Sequence, residues 1–487
     1  MDEQVDELDI LIFNKIFEFQ IETNEEFTLD DTSAGRLFNY VFSSVLRFNS
    51  TSNCFFHYNG KVWKIDNELK SFSYATRLTD FLLSYASLSI QDKSKQDIYF
   101  KYFGKLRSRG NLEKMIEMSK SIDVITENKL DTNLYIFNCQ NGTYNLETKT
   151  FLPHNPNDLL SKISSVVYDD NKDCQNFKKF LDDITEANQE KKDYILKILA
   201  YSLSGNKNRE YANFTILFGK TTRNGKSTLC GIISKLMGAN EEGYSIFADP
   251  SLIEEQLTQA GNASPQVARL KASRLVIISE PKKSSILDIA KIKNWTSSSS
   301  VITARQLYGK TFQFTPNFNI ILDTNYLPSA SDDTLFTSDR VKIIEFNRHF
   351  KPEEQDINLL EKLTTQDEIS GIFNLLIKYR DIIQKDGIIP PLCISNATLN
   401  YANISDKLGN WISETLDKTV DKNISVKSAF LNYSNWCKSN NFGAENKTNF
   451  IEMLKQKDLV YDRLYYNETK TEKKQGLCIK GHSYKKD

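Results

Sequence analysis

Residues 215–236 read TILFGKTTRNGKSTLCGIISKL: an apolar strand, a loop holding Gly219 and Gly225, then Lys226, Ser227 and Thr228, and a helix with apolar residues at helical spacing. A phosphate chain asks for this order of parts. Glycines let backbone N–H groups face the anion, and a helix N-terminus adds the positive end of its dipole. A lysine bridges phosphates, and a Ser or Thr hydroxyl holds magnesium. The stretch therefore predicts ATP and Mg2+ as cofactors, with Gly219, Asn224, Gly225, Lys226, Ser227 and Thr228 forming the phosphate loop. A glycine turn before a helix needs no ligand, but here strand, loop, GKST and helix all stand in sequence. Five residues separate Gly219 from Gly225, one more than the usual spacing of four. The loop is expected to be exposed, so that loss of the Lys226 side chain leaves no core cavity.

Working outward, RLVIISEP (274–281) is a second apolar strand that ends in Ser279-Glu280. An acid at a strand end beside a phosphate loop can polarise water and help hold the metal, so Glu280 joins Ser227 as a candidate metal ligand and is the candidate catalytic acid. The bland alternative is a surface Glu at a strand end. A third strand, FNIILDTN (318–325), ends in Asp323, Thr324 and Asn325. The Asn325 amide can sense a γ-phosphate or position water, although Asn at strand ends also serves plain turns.

The 487 residues allow about two to four domains. The 62 basic and 63 acidic residues nearly cancel, so any nucleic-acid surface must be local. At 40% apolar and 26% charged, the chain reads as globular, not disordered. Seven cysteines and four histidines are widely dispersed, which removes the paired spacings of zinc and redox sites and disfavours metallohydrolase chemistry. With no signal-like start and no long apolar run, a cytoplasmic protein without membrane contact is expected.

The alternation of strands and helices from 186 to 352 predicts a nucleotide-binding α/β motor. Ahead of it, residues 33–185 mix helices with hairpins around Asn59-Gly60 and Asn141-Gly142, an α+β domain. Residues 1–32 form an acidic arm: 1–31 hold eleven acids against Lys15 alone, with Leu8, Ile12, Ile16 and Phe19 at helical spacing. A docked amphipathic helix and a partner-binding arm are the two readings. Residues 353–402 are expected as a helical segment and linker.

From 403 to 487 the order is helix (SVKSAFLNYSNWCKS, 425–439), helix (TNFIEMLKQKD, 448–458) and a strand pair around the polar turn 467–475. This suggests a winged helix that binds duplex DNA. Residues 447–487 hold ten bases and six acids, suited to phosphate contact. Lys455, Lys457, Lys470, Lys473 and Lys474 are candidate backbone contacts. Asn449 and Gln456 are candidate base readers. Packing against the motor is the alternative role.

The ordered set GKTTRNGKST, VIISEP, ITARQLYGKTFQF (302–314), IILDTN and SDRVKIIEF (338–346) resembles the motifs of superfamily 3 helicases. The resemblance is specifically to the phage and plasmid primase-helicase family related to the poxvirus replicative helicase. DTNLYIFNCQNGTYNLETKTFLPHNPNDLLSK (131–162) and KILAYSLSGN (197–206) resemble the domain that precedes the motor there. The resemblance implies an AAA+ core in a homo-hexamer, with Glu280 as catalytic acid, Asn325 as sensor and Arg340 as an arginine finger acting on a neighbour. Lys293 matches a lysine that approaches nucleotide in trans, although Ser297 to Ser300 replace the glycines and acid that usually follow it. Arg305 to Phe314 resembles a hairpin in the central channel, where Tyr308 and Lys310 would meet DNA. A plain structural hairpin is the alternative. Bifunctional relatives carry a primase first, and only about 30 residues precede the similarity here, too few for such a domain.

The expectation is therefore an ATP-dependent hexameric helicase translocating 3′ to 5′, the replication initiator of a phage or chromosomal island. Its partners would be single-stranded and forked DNA, origin duplex, and a separate primase or polymerase. An ATP-switched origin binder without processive unwinding, and an ATPase acting on protein or packaging DNA, are the rival readings.

Overall fold

Strands that are covered on both faces need apolar residues at every position, and five runs between 214 and 345 meet that demand closely. In the computed structural model these are β1 (Phe214–Phe218), β2 (Ser245–Ala248), β3 (Leu275–Ser279), β4 (Asn319–Thr324) and β5 (Val341–Glu345). They form one parallel sheet in the order 5-1-4-3-2. Ile216 of β1 lies opposite Leu322 on one side and Ile343 on the other. The structure describes residues 6–485 except 26, 206–210, 212–213, 240, 256–263, 284, 298, 306, 308–309, 331–334, 336–339, 441–442 and 468–472.

One face of the sheet is covered by helix Lys226–Met237, which buries Leu229, Cys230, Ile233 and Leu236, and by helices Gln189–Tyr201 and Gln366–Asp386. The opposite face receives helix Ile289–Thr296, whose Ile292 and Trp295 join Phe214, Ile320 and Ile343. Each large side chain so buried contributes about 1.5–3 kcal/mol. The end of segment 353–402, expected to include a linker, takes part in this core through Ile388, Ile394, Ala397 and Tyr401. Helix Leu392–Ser405 starts after Pro391, buries Ala397 and Tyr401 beside β5, and its Thr398 hydroxyl accepts from the Ile343 N–H at 3.1 Å. An otherwise open edge strand is thereby covered.

The amino-terminal region is α+β. Helices Glu7–Phe19, Asp31–Phe42, Lys70–Ser89, Lys93–Leu106 and Arg109–Ser119 share one core that includes Ile12, Ile16, Phe38, Leu78 and Phe103. The acid-rich first helix is thus docked, and Arg77 holds Asp6 at 2.8 Å and Asp9 at 2.5 Å. Hairpins form around both Asn-Gly pairs, where Gly60 takes φ +90°. Residues 136–184 belong to a different core. Phe137, Tyr144, Phe177 and Ile184 pack with Leu229 under the parallel sheet and with Phe373 of helix Gln366–Asp386, so the boundary expected near 185 runs through shared packing. Arg274 ties the two regions: it donates to the carbonyls of Leu203 (2.6 Å) and Ile136 (2.7 Å) and lies 4.2 Å from the centre of the Tyr244 ring.

The carboxy-terminal unit runs helix Lys407–Thr415, strand Leu416–Ser425, helices Val426–Ser439 and Lys447–Gln456, then strands Val460–Asn467 and Lys473–Tyr484. The last strand lies between the other two, antiparallel to both. Trp411, Tyr433, Phe450 and Leu454 form its core, so the aromatic and Cys437 face of helix 426–439 is packing surface. Among the described residues no helix is long and apolar enough to cross a membrane.

Candidate active site

The phosphate loop begins as a continuation of the sheet: the Gly219 N–H donates to the Thr324 carbonyl at 3.2 Å. A Cβ at Gly219 would collide with Asn224 Nδ2, so the glycine lets the loop fold back onto its own end. Within the loop Arg223 stands in the left-handed region at φ 58°. Gly225 caps the helix at φ 84°, a conformation that favours glycine, and a Cβ there would strike Ile184. The segment after β5 clamps the loop from outside. Phe350 N–H donates to the Arg223 carbonyl at 2.9 Å, and His349 Nδ1 sits 2.8 Å from the Thr222 carbonyl.

Lys226 is not an exposed loop residue. It is only 3% accessible, because the first turn of the helix directs it back across the ends of β1 and β4. Its Nζ donates to Asn224 Oδ1 (2.9 Å) and Asn325 Oδ1 (3.0 Å) and lies 3.7 Å from Asp323 Oδ1. Ser227 Oγ donates to Asp323 Oδ2 at 2.7 Å. Burial pushes the Lys226 pKa down, opposed by the Asp323 charge. Burial likewise pushes the Asp323 pKa up, opposed by the Ser227 hydrogen bond and the Lys226 charge.

Glu280 follows β3 in the left-handed region at φ 51°, exposed, with its N–H donating to the Asp323 carbonyl at 2.9 Å. The residues expected at the phosphates, Gly219, Asn224, Gly225, Lys226, Ser227 and Thr228, therefore share the carboxyl edge of the sheet with Glu280 and Asn325. The acid that touches Ser227 is Asp323, which the sequence reading passed over. The available signal was a carboxylate inside the run NIILDT, since a fully buried acid must find a partner.

Beside the loop lies an open cleft of about 1080 Å³, bounded by Phe180, Arg223, Thr228, Phe350 and Leu360. It has room for a nucleoside next to the helix N-terminus. The Ser227 hydroxyl, the Asp323 and Glu280 carboxylates and the Asn325 amide are hard oxygen donors that suit Mg2+. Among the described residues no group of three His, Cys, Asp or Glu could hold a metal ion.

Arg340 and Lys293 lie elsewhere. The Arg340 carbonyl accepts from the Phe214 N–H at 3.2 Å, which places Arg340 at the amino end of β1, five residues from the edge that bears Lys226. At about 3.3 Å per residue that separation is about 16 Å. The Arg340 guanidinium donates to the Lys293 carbonyl (2.8 Å) and to Thr296 Oγ1 (3.3 Å), joining the two residues at the end of helix Ile289–Thr296.

Strands Ile302–Arg305 and Thr311–Phe314 pair as a hairpin with Arg305 opposite Thr311. Lys310 is exposed at its tip beside the 63% accessible Leu307, whereas Tyr308 lies outside the described residues. In the carboxy-terminal unit Asn449 is exposed on the first turn of its helix. Lys455 pairs with Glu452 and Lys457 with Asp406, both at 2.8 Å. Lys473 lies across the hairpin from Asn467 and the exposed Lys474 from Tyr466, while Lys470 lies outside the described residues.

Residues 35–186 match the family model described as "D5 N terminal like", and residues 217–340 match one described as "Family of unknown function (DUF5906)". The chain is 29% identical over 350 residues to "Putative helicase L207/L206" of Acanthamoeba polyphaga mimivirus, covering 66% of this chain and 35% of that protein. It is 25% identical over 381 residues to "Putative helicase 121R" of Invertebrate iridescent virus 3, covering 71% and 39%. The matches thus span little more than a third of either relative's length. Among solved structures, the apo NrS-1 C terminal region aligns with a TM-score of 0.48 at 12% identity, over 92% of this chain and 99% of that one.

Proposed function

The chain is a relative of the phage and viral superfamily 3 primase-helicases, and from that premise we propose that it is an ATP-dependent DNA helicase with an AAA+ motor. The observation that carries this reading is the meeting of the glycine loop and the end of β4 on one lysine: Lys226 lies between Asn224, Asn325 and Asp323, with Ser227 on Asp323 and Glu280 one residue beyond β3 at the same edge. The strand order 5-1-4-3-2 supports the AAA+ assignment.

In this reading ATP lies with its nucleoside in the cleft by Phe180 and Phe350 and its phosphates over the N-terminus of helix Lys226–Met237. Lys226 neutralises phosphate charge and Asn325 orients it. Magnesium, held by Ser227 with a neighbouring carboxylate, would supply charge stabilisation to the transferring phosphoryl group. Glu280, exposed at this edge, takes the proton of the attacking water.

Arg340, about 16 Å along the sheet from that edge, cannot serve its own site without refolding β5. A neighbouring subunit can bring it to a second site. This supports a ring, which we read as a hexamer, with Arg340 and Lys293 presented together at the subunit boundary. The hairpin bearing Lys310 and Tyr308 would then face DNA in the channel. The helix, strand, helix, helix, hairpin order of residues 407–485 supports a winged helix that places Asn449 and Lys455 at duplex DNA. A role as initiator of a mobile element, with 3′ to 5′ translocation, completes the proposal.

Strand displacement on forks with a 3′ or a 5′ tail, measured together with phosphate release, tests it. DNA-stimulated hydrolysis with unwinding from a 3′ tail is expected. Hydrolysis without displacement would leave an ATP-switched origin binder, and no hydrolysis at all would sink both.

A further inference from the structure

We infer that Asp323 is the carboxylate that holds magnesium together with Ser227, one strand removed from the strand that ends in Glu280. The inference rests on the ATPase reading above and deepens it. β3 reaches the phosphate edge as Ser279-Glu280. Ser279 offers a hydroxyl and no charge, and at Glu280 the backbone leaves the ladder through the left-handed region. In the register of the sheet, the residue directly across from Ser279 is Asp323. The strand spacing of about 4.8 Å is thus the whole displacement of the charge from β3 to β4.

Asp323 meets the conditions that Ser279 does not. Its Oδ2 takes the Ser227 hydroxyl at 2.7 Å and its Oδ1 lies 3.7 Å from Lys226 Nζ, so both residues expected to handle the phosphate and its metal are already on it. Its side chain is 4% accessible, directly after the apolar run Ile320, Ile321 and Leu322. A carboxylate in such a place costs several kcal/mol unless counter-charge is close. Lys226 is shared with Asn224 and Asn325, and a divalent cation on the Ser227 hydroxyl would complete the counter-charge. Glu280, exposed at the same edge, keeps a separate task at the water. The two acids thus divide the work that the sequence reading assigned to Glu280 alone.

Binding of a non-hydrolysable ATP analogue to the full chain, with and without Mg2+, tests the assignment, with Mn2+ binding in the presence of ADP read by electron paramagnetic resonance. In wild type the metal should tighten analogue binding by about tenfold or more. Asp323→Asn keeps the shape and the acceptor for Ser227. It should abolish the metal-dependent tightening and the bound Mn2+ signal, while metal-free affinity is unchanged or higher because a negative charge near the phosphates is gone. Glu280→Gln should retain both signals. Should Asp323→Asn fail to fold, Asp323→Ser, which is smaller and also uncharged, is measured in the same way. Full metal-dependent tightening in a folded Asp323 variant, or its loss in Ser279→Ala, overturns the inference. A wild-type chain that binds no analogue at all would sink the ATPase reading instead.

Discussion

The carboxyl edge of the parallel sheet and the carboxy-terminal unit hold their lysines in opposite ways. Lys226 is 3% accessible and is surrounded by Asn224, Asn325 and Asp323. Lys455 and Lys457 are exposed, and each pairs with a nearby acid, Glu452 and Asp406. A buried cation is costly to desolvate and therefore fixed in place, so it can act at a single point. Exposed cations are screened and exchange partners with little cost, so they act as a summed field. On the reading proposed above, the difference separates a site of chemistry from a surface of affinity, and substitutions at the two should differ by orders of magnitude.

Lys226→Ala should have the largest effect. Phosphate release should fall by about 10³-fold or more, and stability at neutral pH should drop by about 3 kcal/mol, because Asp323 is left as a buried charge without its cation. The deficit has a pH sign. Burial already raises the Asp323 pKa above its unfolded value, so between those two values the folded chain binds a proton that the unfolded chain has released, and stability from this group declines as pH rises through that window. Removing Lys226 raises that pKa further. Urea unfolding should therefore show a large deficit at neutral pH that shrinks toward acid; a deficit independent of pH would mean that Asp323 is not the group left unpaired.

Glu280→Gln should slow turnover by about 10²–10⁴-fold with stability within about 0.5 kcal/mol of wild type, since the residue is exposed. Single-turnover hydrolysis and thermal melting check both parts. Gly219→Ala should cost about 1–3 kcal/mol by driving Asn224 off its place and with it one partner of Lys226. Calorimetry should show weaker analogue binding in the same variant. Arg340→Ala should lose about 1 kcal/mol from its bonds to helix Ile289–Thr296. Doped into wild type, it should depress ATPase beyond its mole fraction, and a linear dilution curve would argue for action within one subunit.

The smallest effects belong to the exposed lysines. Lys455→Ala or Lys457→Ala should change stability by less than about 1 kcal/mol. Where the lysine neutralises a DNA phosphate, its removal should flatten the slope of log K against log salt by about 0.9. A single one of these substitutions that abolished duplex binding would break the contrast between the two regions.

Residues 214–237 were legible because a strand buried on both faces is written as an unbroken apolar run and glycines mark where the loop must close. The Asn-Gly turns were legible for a similar local reason: the left-handed backbone that Gly60 adopts has a residue preference of its own. Strand Leu416–Ser425 was not. LDKTVDKNIS is polar and edge-lying, with no apolar alternation to announce it. Helix Leu392–Ser405, read in part as linker, likewise owes its burial to β5, more than fifty residues earlier.

By itself the sequence determined the strand, the glycine loop and the helix that carries Lys226 and Ser227, and their local order, because glycine conformations, helix polarity and strand apolarity act within a few residues. Only the tertiary structure decided which distant side chains meet. Ser227 reaches Asp323 across 96 residues and Lys226 reaches Asn325 across 99. Arg340, so near β5 in sequence, stands at the opposite end of the sheet from Lys226. Parallel strands bring distant carboxyl ends to one edge and send amino ends to the other, and that sorting follows from strand order, which no local pattern encodes.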